Sequence, residues 1–254
     1  MLHYIQVIHM DERIGSHHYA VGRPAERPRR ARSENARDPY DGLRPGSAIT
    51  HGLGAVLAVL GTALLLQRVL ERNGGAAAFA AFLLYGLSMI GLYTASTLYH
   101  CLRTGVRGRI ALRKYDHISI YFLIAGSYTP ICALMLPQDG GIPMLAAIWT
   151  AALAGTVLSV AWISAPRWLT SAIYLLMGWM ALFLLPSLLR HMPAEGMFWL
   201  VLGGVLYTVG GVLYAVKWPG RDNPRFGCHE IFHVFILLGS IAHFFLMYRV
   251  VVFQ

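Results

Sequence analysis

Charged side chains are scarce in this sequence. They account for only 13% of the 254 residues, whereas 56% belong to the hydrophobic set. A soluble domain of this length cannot bury so much apolar surface in one core, so the composition excludes an ordinary soluble protein. The mean hydropathy of +0.53 supports the same conclusion. The excess apolar surface is expected to face lipid, which predicts a membrane protein.

Acidic residues are fewer than basic ones and are unevenly placed. Six of the 12 precede residue 42, and four more fall in predicted loops. Only Asp116 and Glu230 stand at the start of an apolar stretch. An ionisable side chain at a membrane segment is costly and is therefore a candidate for a functional site. These two residues are the first such candidates.

Cysteine is also rare. The three residues Cys101, Cys132 and Cys228 are too few for a disulfide framework. No nucleic-acid-binding module is recognisable, so the net charge of +9 does not indicate a nucleic-acid partner. In a membrane protein, an excess of basic residues is a topology signal.

Two regions follow from the distribution of apolar residues. Residues 1–45 are basic, poor in apolar side chains and predicted to be a disordered tail, and residues 46–254 form the membrane domain. Seven apolar stretches are each close to the roughly 20 residues that cross a bilayer as a helix. They are residues 48–67, 76–101, 116–136, 142–163, 169–189, 196–216 and 229–251. The predicted fold is all-α with seven transmembrane helices, because lipid leaves no other partner for the backbone polar groups.

The basic residues predict the orientation of these seven spans. If the tail is cytoplasmic, 17 of the 21 Lys and Arg residues lie in the tail and the loops on its side. The other four are Arg68, Arg72, Arg190 and Arg249. The positive-inside rule therefore places the N-terminus in the cytoplasm and the C-terminus outside, in a multi-pass protein of the cell membrane.

Histidines then gather at the cytoplasmic ends of separate spans. His229 and His233 are four residues apart at the start of the seventh span, so both imidazoles can hold one ion. His100, at the end of the second span, is the predicted third ligand, with Ser96 one turn before it. Asp116 would orient an attacking water or accept its proton. Three imidazoles also suit copper, iron and nickel, so spacing alone leaves the metal open.

Other polar residues have simpler interpretations. His117 is predicted to be a helix-start residue, and His243, about 15 Å deeper, to be structural or part of a second polar site. His51 either supports a ligand from outside or only packs. Glu230 is expected to cap its helix. Cys101 and Cys228 are poorer ligand candidates, because residues adjacent to a histidine face other sides of the helix. Gly203, Gly204, Gly210 and Gly211 in the sixth span are expected to allow close packing between helices.

Four features together resemble the hemolysin III proteins of the progestin and adipoQ receptor family, over about residues 47–250. They are Ser96-x-x-x-His100, Asp116, the stretch Ser127-Tyr128-Thr129-Pro130, and the stretch at residues 226–233 that contains both seventh-span histidines. The resemblance implies a seven-helix fold with its N-terminus inside and zinc held by His100, His229 and His233. It further implies that Asp116 bonds a water at the zinc, with Ser96 nearby.

The family's first motif, Glu-x-x-Asn-x-x-Thr-His, is only half present. Thr50 and His51 match its end, but Arg44 and Ser47 stand where Glu and Asn are expected. The metal-ligand candidates are unaffected by this departure.

Three functions are open for this chain. Related eukaryotic receptors are linked to hydrolysis of lipid amides such as ceramide, which favours a zinc-dependent hydrolase of lipid amide or ester bonds acting on a membrane lipid. Bacterial members are named for a haemolytic, pore-forming activity, although no stripe of pore-lining charge runs along the predicted spans. A receptor with a structural zinc is the third alternative. The sequence leaves the oligomeric state open.

Overall fold

The computed structural model describes residues 43–162, 165–219 and 226–253. Most of the predicted tail, and the predicted inner-loop residues Arg221 and Arg225, lie outside the described residues. Within the described ranges the chain forms helices and no strands, which confirms the all-α prediction. The first helix begins at Pro45, at the predicted boundary of the membrane domain.

Seven helical spans in the described residues are long and apolar enough to cross a membrane, as predicted. They run Pro45–Glu71, Gly75–Cys101, Val106–Met135, Pro137–Ala161, Trp168–His191, Ala194–Val216 and Cys228–Phe253. Six of them match the predicted stretches to within a few residues. This is an integral, multi-pass membrane protein.

The third span begins at Val106, ten residues before the predicted start. Its first turns contain Arg107, Arg109 and Arg113, so hydropathy gives no signal there although the backbone is helical. The prediction that Asp116 and His117 open this helix was therefore wrong, and both lie well inside it. A helix satisfies its own backbone groups at any depth, so it extends beyond the apolar stretch that marks it in the sequence.

Several spans contain segments that are not α-helical. The third ends as an α-helix at Pro130 and continues as a π-helical turn, Ile131–Met135, and a second π-helical segment, Pro137–Gly141, precedes the α-helix Ile142–Ala161. The fifth consists of Arg167–Trp179, a 3-10 turn Met180–Leu184 and a short helix Leu185–His191. Proline removes a backbone donor and clashes with the preceding turn, which explains why these irregular turns lie beside prolines.

Tyr128 stabilises the break in the fifth span, where the α-helix ends at Trp179 and the 3-10 turn begins. Its hydroxyl donates to the backbone oxygens of Met177 and Gly178, at 3.0 and 2.7 Å, and accepts from the amide of Ala181 at 2.8 Å. Backbone groups released by a kink need such partners because the membrane supplies no water. The stretch Ser127-Tyr128-Thr129-Pro130, noted above for its resemblance, thus has a structural role.

The spans pack in a closed order. The first contacts both the second and the seventh, the second contacts the third, the third contacts the fourth, the fourth contacts the fifth, and the fifth and seventh each contact the sixth. Glycine permits close approach where helices cross. A Cβ atom on Gly203 would lie 2.3 Å from the ring of His243, and one on Gly210 would lie 2.6 Å from Phe235, which confirms the predicted packing role of these two glycines. Gly204, by contrast, faces open space.

Candidate metal centre

Three histidines meet at one end of the bundle. His100 lies in the last turn of the second span, and His229 and His233 lie in the first two turns of the seventh. The candidate ligand nitrogens of all three lie within 4.8 Å of one another. The Nε2 atoms of His100 and His229 are 3.1 Å apart. The structure therefore brings together the three residues that the sequence predicted.

This group fits a metal ion. Two nitrogens bound to a tetrahedral zinc at 2.0–2.1 Å lie about 3.3 Å apart, close to the observed His100–His229 spacing. The Nδ1 atom of His233 is buried and makes no hydrogen bond of good geometry, although the ring lies near the backbone of Ser47. An ion bound to this ring would help to satisfy its buried polar atoms. Three imidazoles form a donor set suited to zinc and to several other transition metals.

Burial and packing restrict the three rings unequally. His100 and His233 are buried, and His229 is partly exposed. The ring of Tyr99 lies 4.9 Å from that of His100, and the ring of Tyr214 lies 5.5 Å from that of His229. The site is thus packed against aromatic rings on two sides, and His229 is the partly exposed member of the three.

Arg109 holds the end of the second span, a role that the sequence analysis did not assign. It is buried, and its guanidinium donates to the backbone oxygens of Tyr99 and Leu102 at 2.6 and 3.1 Å. The guanidinium also lies over the Tyr99 ring, 4.5 Å from its centroid. A cation that binds the last carbonyls of a helix stabilises that end, and here the same turn carries His100. Only the fold distinguishes Arg109 from the other basic residues that the sequence places near the start of the third span.

Ser96 and Asp116 lie beside each other. The Ser96 hydroxyl is buried and close to the Asp116 carboxyl, although it makes no hydrogen bond of good geometry. Asp116 is half-buried and does not belong to the group of three candidate ligands. The fold therefore places one acidic side chain next to a serine that is one turn from His100.

The model of the family described as "Haemolysin-III related" matches residues 45–244 of this chain. The chain belongs to that family. It is 34% identical to Hemolysin-3 of Bacillus cereus over 200 residues, which cover 78% of this chain and 87% of that protein. The Hemolysin-3 homolog of Bacillus subtilis is 36% identical over 200 residues, 78% of this chain and 90% of that protein. The human Monocyte to macrophage differentiation factor is 25% identical over 207 residues, 79% of this chain and 81% of that protein.

The resemblance found in the motifs is therefore confirmed. The haemolysin-III match begins where the first span begins and extends past both seventh-span histidines, so it includes the whole candidate metal centre. The two thiols beside the histidines are not part of that centre. Cys101 is exposed, Cys228 is buried, and neither belongs to the ligand group.

In this haemolysin-III protein, Glu230 does more than cap its helix. Its carboxylate accepts the backbone N–H of Gly227 at 2.9 Å, which confirms the predicted cap. It also accepts the Ser47 hydroxyl at 3.2 Å and two contacts from one Arg44 nitrogen, at 3.2 and 3.4 Å. The two positions that depart from the family's first motif, Arg44 and Ser47, therefore both bind Glu230.

His51 completes the surroundings of the site. It is buried, lies edge-on to Tyr93 with ring centroids 5.1 Å apart, and stacks on the ring of His233. Neither of its nitrogens makes a hydrogen bond of good geometry, although the ring lies near the backbone of His233. His51 is not a member of the ligand group, so it contacts a candidate ligand from outside.

Proposed function

We propose that this protein is a zinc-dependent hydrolase that acts on an amide or ester bond of a membrane lipid. The observation that carries the proposal is the group formed by His100, His229 and His233, whose nitrogens lie within 4.8 Å of one another. Ser96, whose hydroxyl lies close to the Asp116 carboxyl, is one turn before His100 on the same helix. Three protein ligands with one position left over are the arrangement of catalytic zinc sites, whereas structural sites use four.

The roles of the residues follow from their positions. His100, His229 and His233 would hold the ion. Zinc bound in this way supplies a Lewis acid that polarises a carbonyl and makes hydroxide available near neutral pH. Asp116 would orient the attacking water and accept its proton. Ser96 would hold the Asp116 carboxyl towards the three imidazoles.

A lipid is the substrate class that fits the location. The site lies at the ends of membrane spans and is partly open at His229, so a head group at the bilayer surface reaches it without leaving the membrane. With the orientation proposed from the basic residues, this surface is the cytoplasmic leaflet. Amide and ester bonds of lipids lie at the boundary between head group and chains, where the ends of membrane-spanning helices are expected.

Metal content and lipid hydrolysis test the proposal together. Detergent-purified protein is expected to carry one zinc per chain, and His100→Ala is expected to lose it. Ceramide and ester lipids are offered to both proteins and to Asp116→Asn, which should retain zinc but lose about 100-fold or more of the rate. Zinc-loaded protein that hydrolyses neither lipid class would refute the hydrolase and leave a receptor with a structural zinc.

Membrane lysis is the second candidate, because a relative that is 34% identical is named Hemolysin-3. Release of a dye from liposomes separates it from the hydrolase. Leakage that is equal for the unmodified protein and for His229→Ala would support a pore that does not depend on the metal site. Leakage that disappears with the histidine, and follows lipid hydrolysis, would support the enzyme.

A further inference from the structure

The first span makes several polar and ring contacts with the candidate metal centre but contributes none of the three candidate ligands. Ser47 bonds Glu230, and His51, four residues further along the same face of the helix, stacks on His233. Arg44 immediately precedes the helix and bonds Glu230 with its side chain. The backbone N–H of Arg44 donates to the carbonyl of His100 at 3.1 Å. Arg44 thus contacts both spans that carry the histidines.

Glu230 stands between the two seventh-span histidines in the sequence and is only 3% exposed. A helix cap requires only the bond from Gly227. The bonds from Ser47 and Arg44 come from residues 183 and 186 positions away, so they join two spans rather than complete one helix end. The Arg44 side chain is 27% exposed, so the ion pair lies at the edge of the site and is only partly screened by solvent.

The position of the Glu230 side chain determines where the side chains of His229 and His233 point. Successive residues of a helix point about 100° apart, so fixing one side chain fixes the rotation of the helix about its own axis. A metal site tolerates only small displacements of its ligands, on the order of 0.5 Å. Any rotation of the seventh span moves His229 and His233 together relative to His100.

We propose that Arg44, acting through Glu230, is a positioning residue that sets the rotation of the seventh span so that His229 and His233 face His100. The inference rests on the metal site of the proposed function. Both residues that depart from the family's first motif, Arg44 and Ser47, bond this carboxylate. In this chain the carboxylate is on the seventh span, and the first span supplies its donors.

The test is a double-mutant cycle on zinc affinity with the full chain in detergent. Arg44→Met, Arg44→Lys, Glu230→Gln and Arg44→Met/Glu230→Gln are titrated with zinc against a chromophoric chelator, and the visible spectrum of the cobalt-loaded protein reports the coordination. Arg44→Met is expected to bind zinc about 10- to 100-fold more weakly, which is the usual effect of removing a residue that orients a metal ligand. Arg44→Lys, which retains the charge, should recover most of the affinity. In the Glu230→Gln background, Arg44→Met should have no further effect.

Arg72→Met is the matched control, because it removes one positive charge from the other end of the same span and should leave zinc affinity unchanged. Thermal unfolding of the metal-free proteins separates positioning from stability. The proposal is overturned if Arg44→Met lowers stability but leaves zinc affinity unchanged. It is also overturned if Arg44→Met weakens zinc binding equally in the unmodified protein and in Glu230→Gln. An unmodified protein that binds no zinc overturns the proposed function as well, whereas zinc binding that ignores Arg44 overturns only this inference.

Discussion

The rings of His51 and His233 lie face to face, with centroids 3.6 Å apart and an angle of 16° between their planes. The first is outside the group of candidate ligands and the second is inside it. A buried ring that covers one face of a ligand restricts the rotation of that ligand.

Two substitutions of His51 test this restriction. His51→Ala removes the stacked ring and is expected to weaken zinc binding about 10-fold or more, as loss of support behind a ligand does. His51→Phe retains a flat ring of similar size and is expected to bind zinc nearly as well as the unmodified protein. Zinc titration of the purified proteins is the measurement. If both substitutions weaken binding equally, a nitrogen of His51 rather than its stacked ring is required.

The hydroxyl of Tyr128 satisfies three backbone groups at the break in the fifth span. Tyr128→Phe removes these hydrogen bonds inside the membrane and is expected to destabilise the protein by about 1–3 kcal/mol. The free energy of unfolding in mixed detergent micelles is the measurement. Tyr115→Phe is the control, because Tyr115 is exposed and precedes Asp116 on the third span. Equal stability of the two variants would contradict the role assigned to Tyr128.

Gly203 and Gly204 form a matched pair in the sixth span. A Cβ atom on Gly203 would overlap the His243 ring, whereas one on Gly204 would meet nothing within 4 Å. Gly203→Ala is expected to destabilise the protein by about 1–3 kcal/mol through overpacking. Gly204→Ala is expected to be neutral or slightly stabilising, because alanine is the better helix former. Thermal unfolding of the two variants is the measurement. A larger loss of stability in Gly204→Ala than in Gly203→Ala would show that the sixth and seventh spans pack differently.

The orientation of the bundle is the fourth prediction. The positive-inside rule places the end that carries His100 and His229 in the cytoplasm and the C-terminus outside. Alkaline phosphatase fused after residue 253 should therefore be active in a bacterial host, and a fluorescent protein fused there should not fluoresce. The same reporters inserted between Cys101 and Val106 should give the opposite result. Fluorescence from the C-terminal fusion would invert the topology and move the candidate site to the outer leaflet.

The sequence predicted the positions of the membrane spans well, but it did not predict their irregular turns or the contacts of individual polar residues. Apolar runs mark the spans clearly, and only the third was placed wrongly at its start, because Arg107 and Arg113 conceal a helix that begins at Val106. The break in the fifth span, stabilised by Tyr128, has no signal in hydropathy. Arg109 was counted only as a charge in an inner loop, since nothing local distinguishes it from the basic residues around it.

The sequence by itself determined that the chain crosses a membrane in seven helices, because so many apolar side chains have no other solvent. It also determined that His229 and His233 share a face, because helical periodicity depends only on neighbouring residues. The sequence predicted that His100, 129 positions from His229, joins this pair, and the tertiary structure brings their rings into contact. Only the tertiary structure decided that Arg44 binds Glu230 and that His51 covers His233. These contacts depend on how far each helix is shifted and rotated against the next, and no local periodicity encodes that.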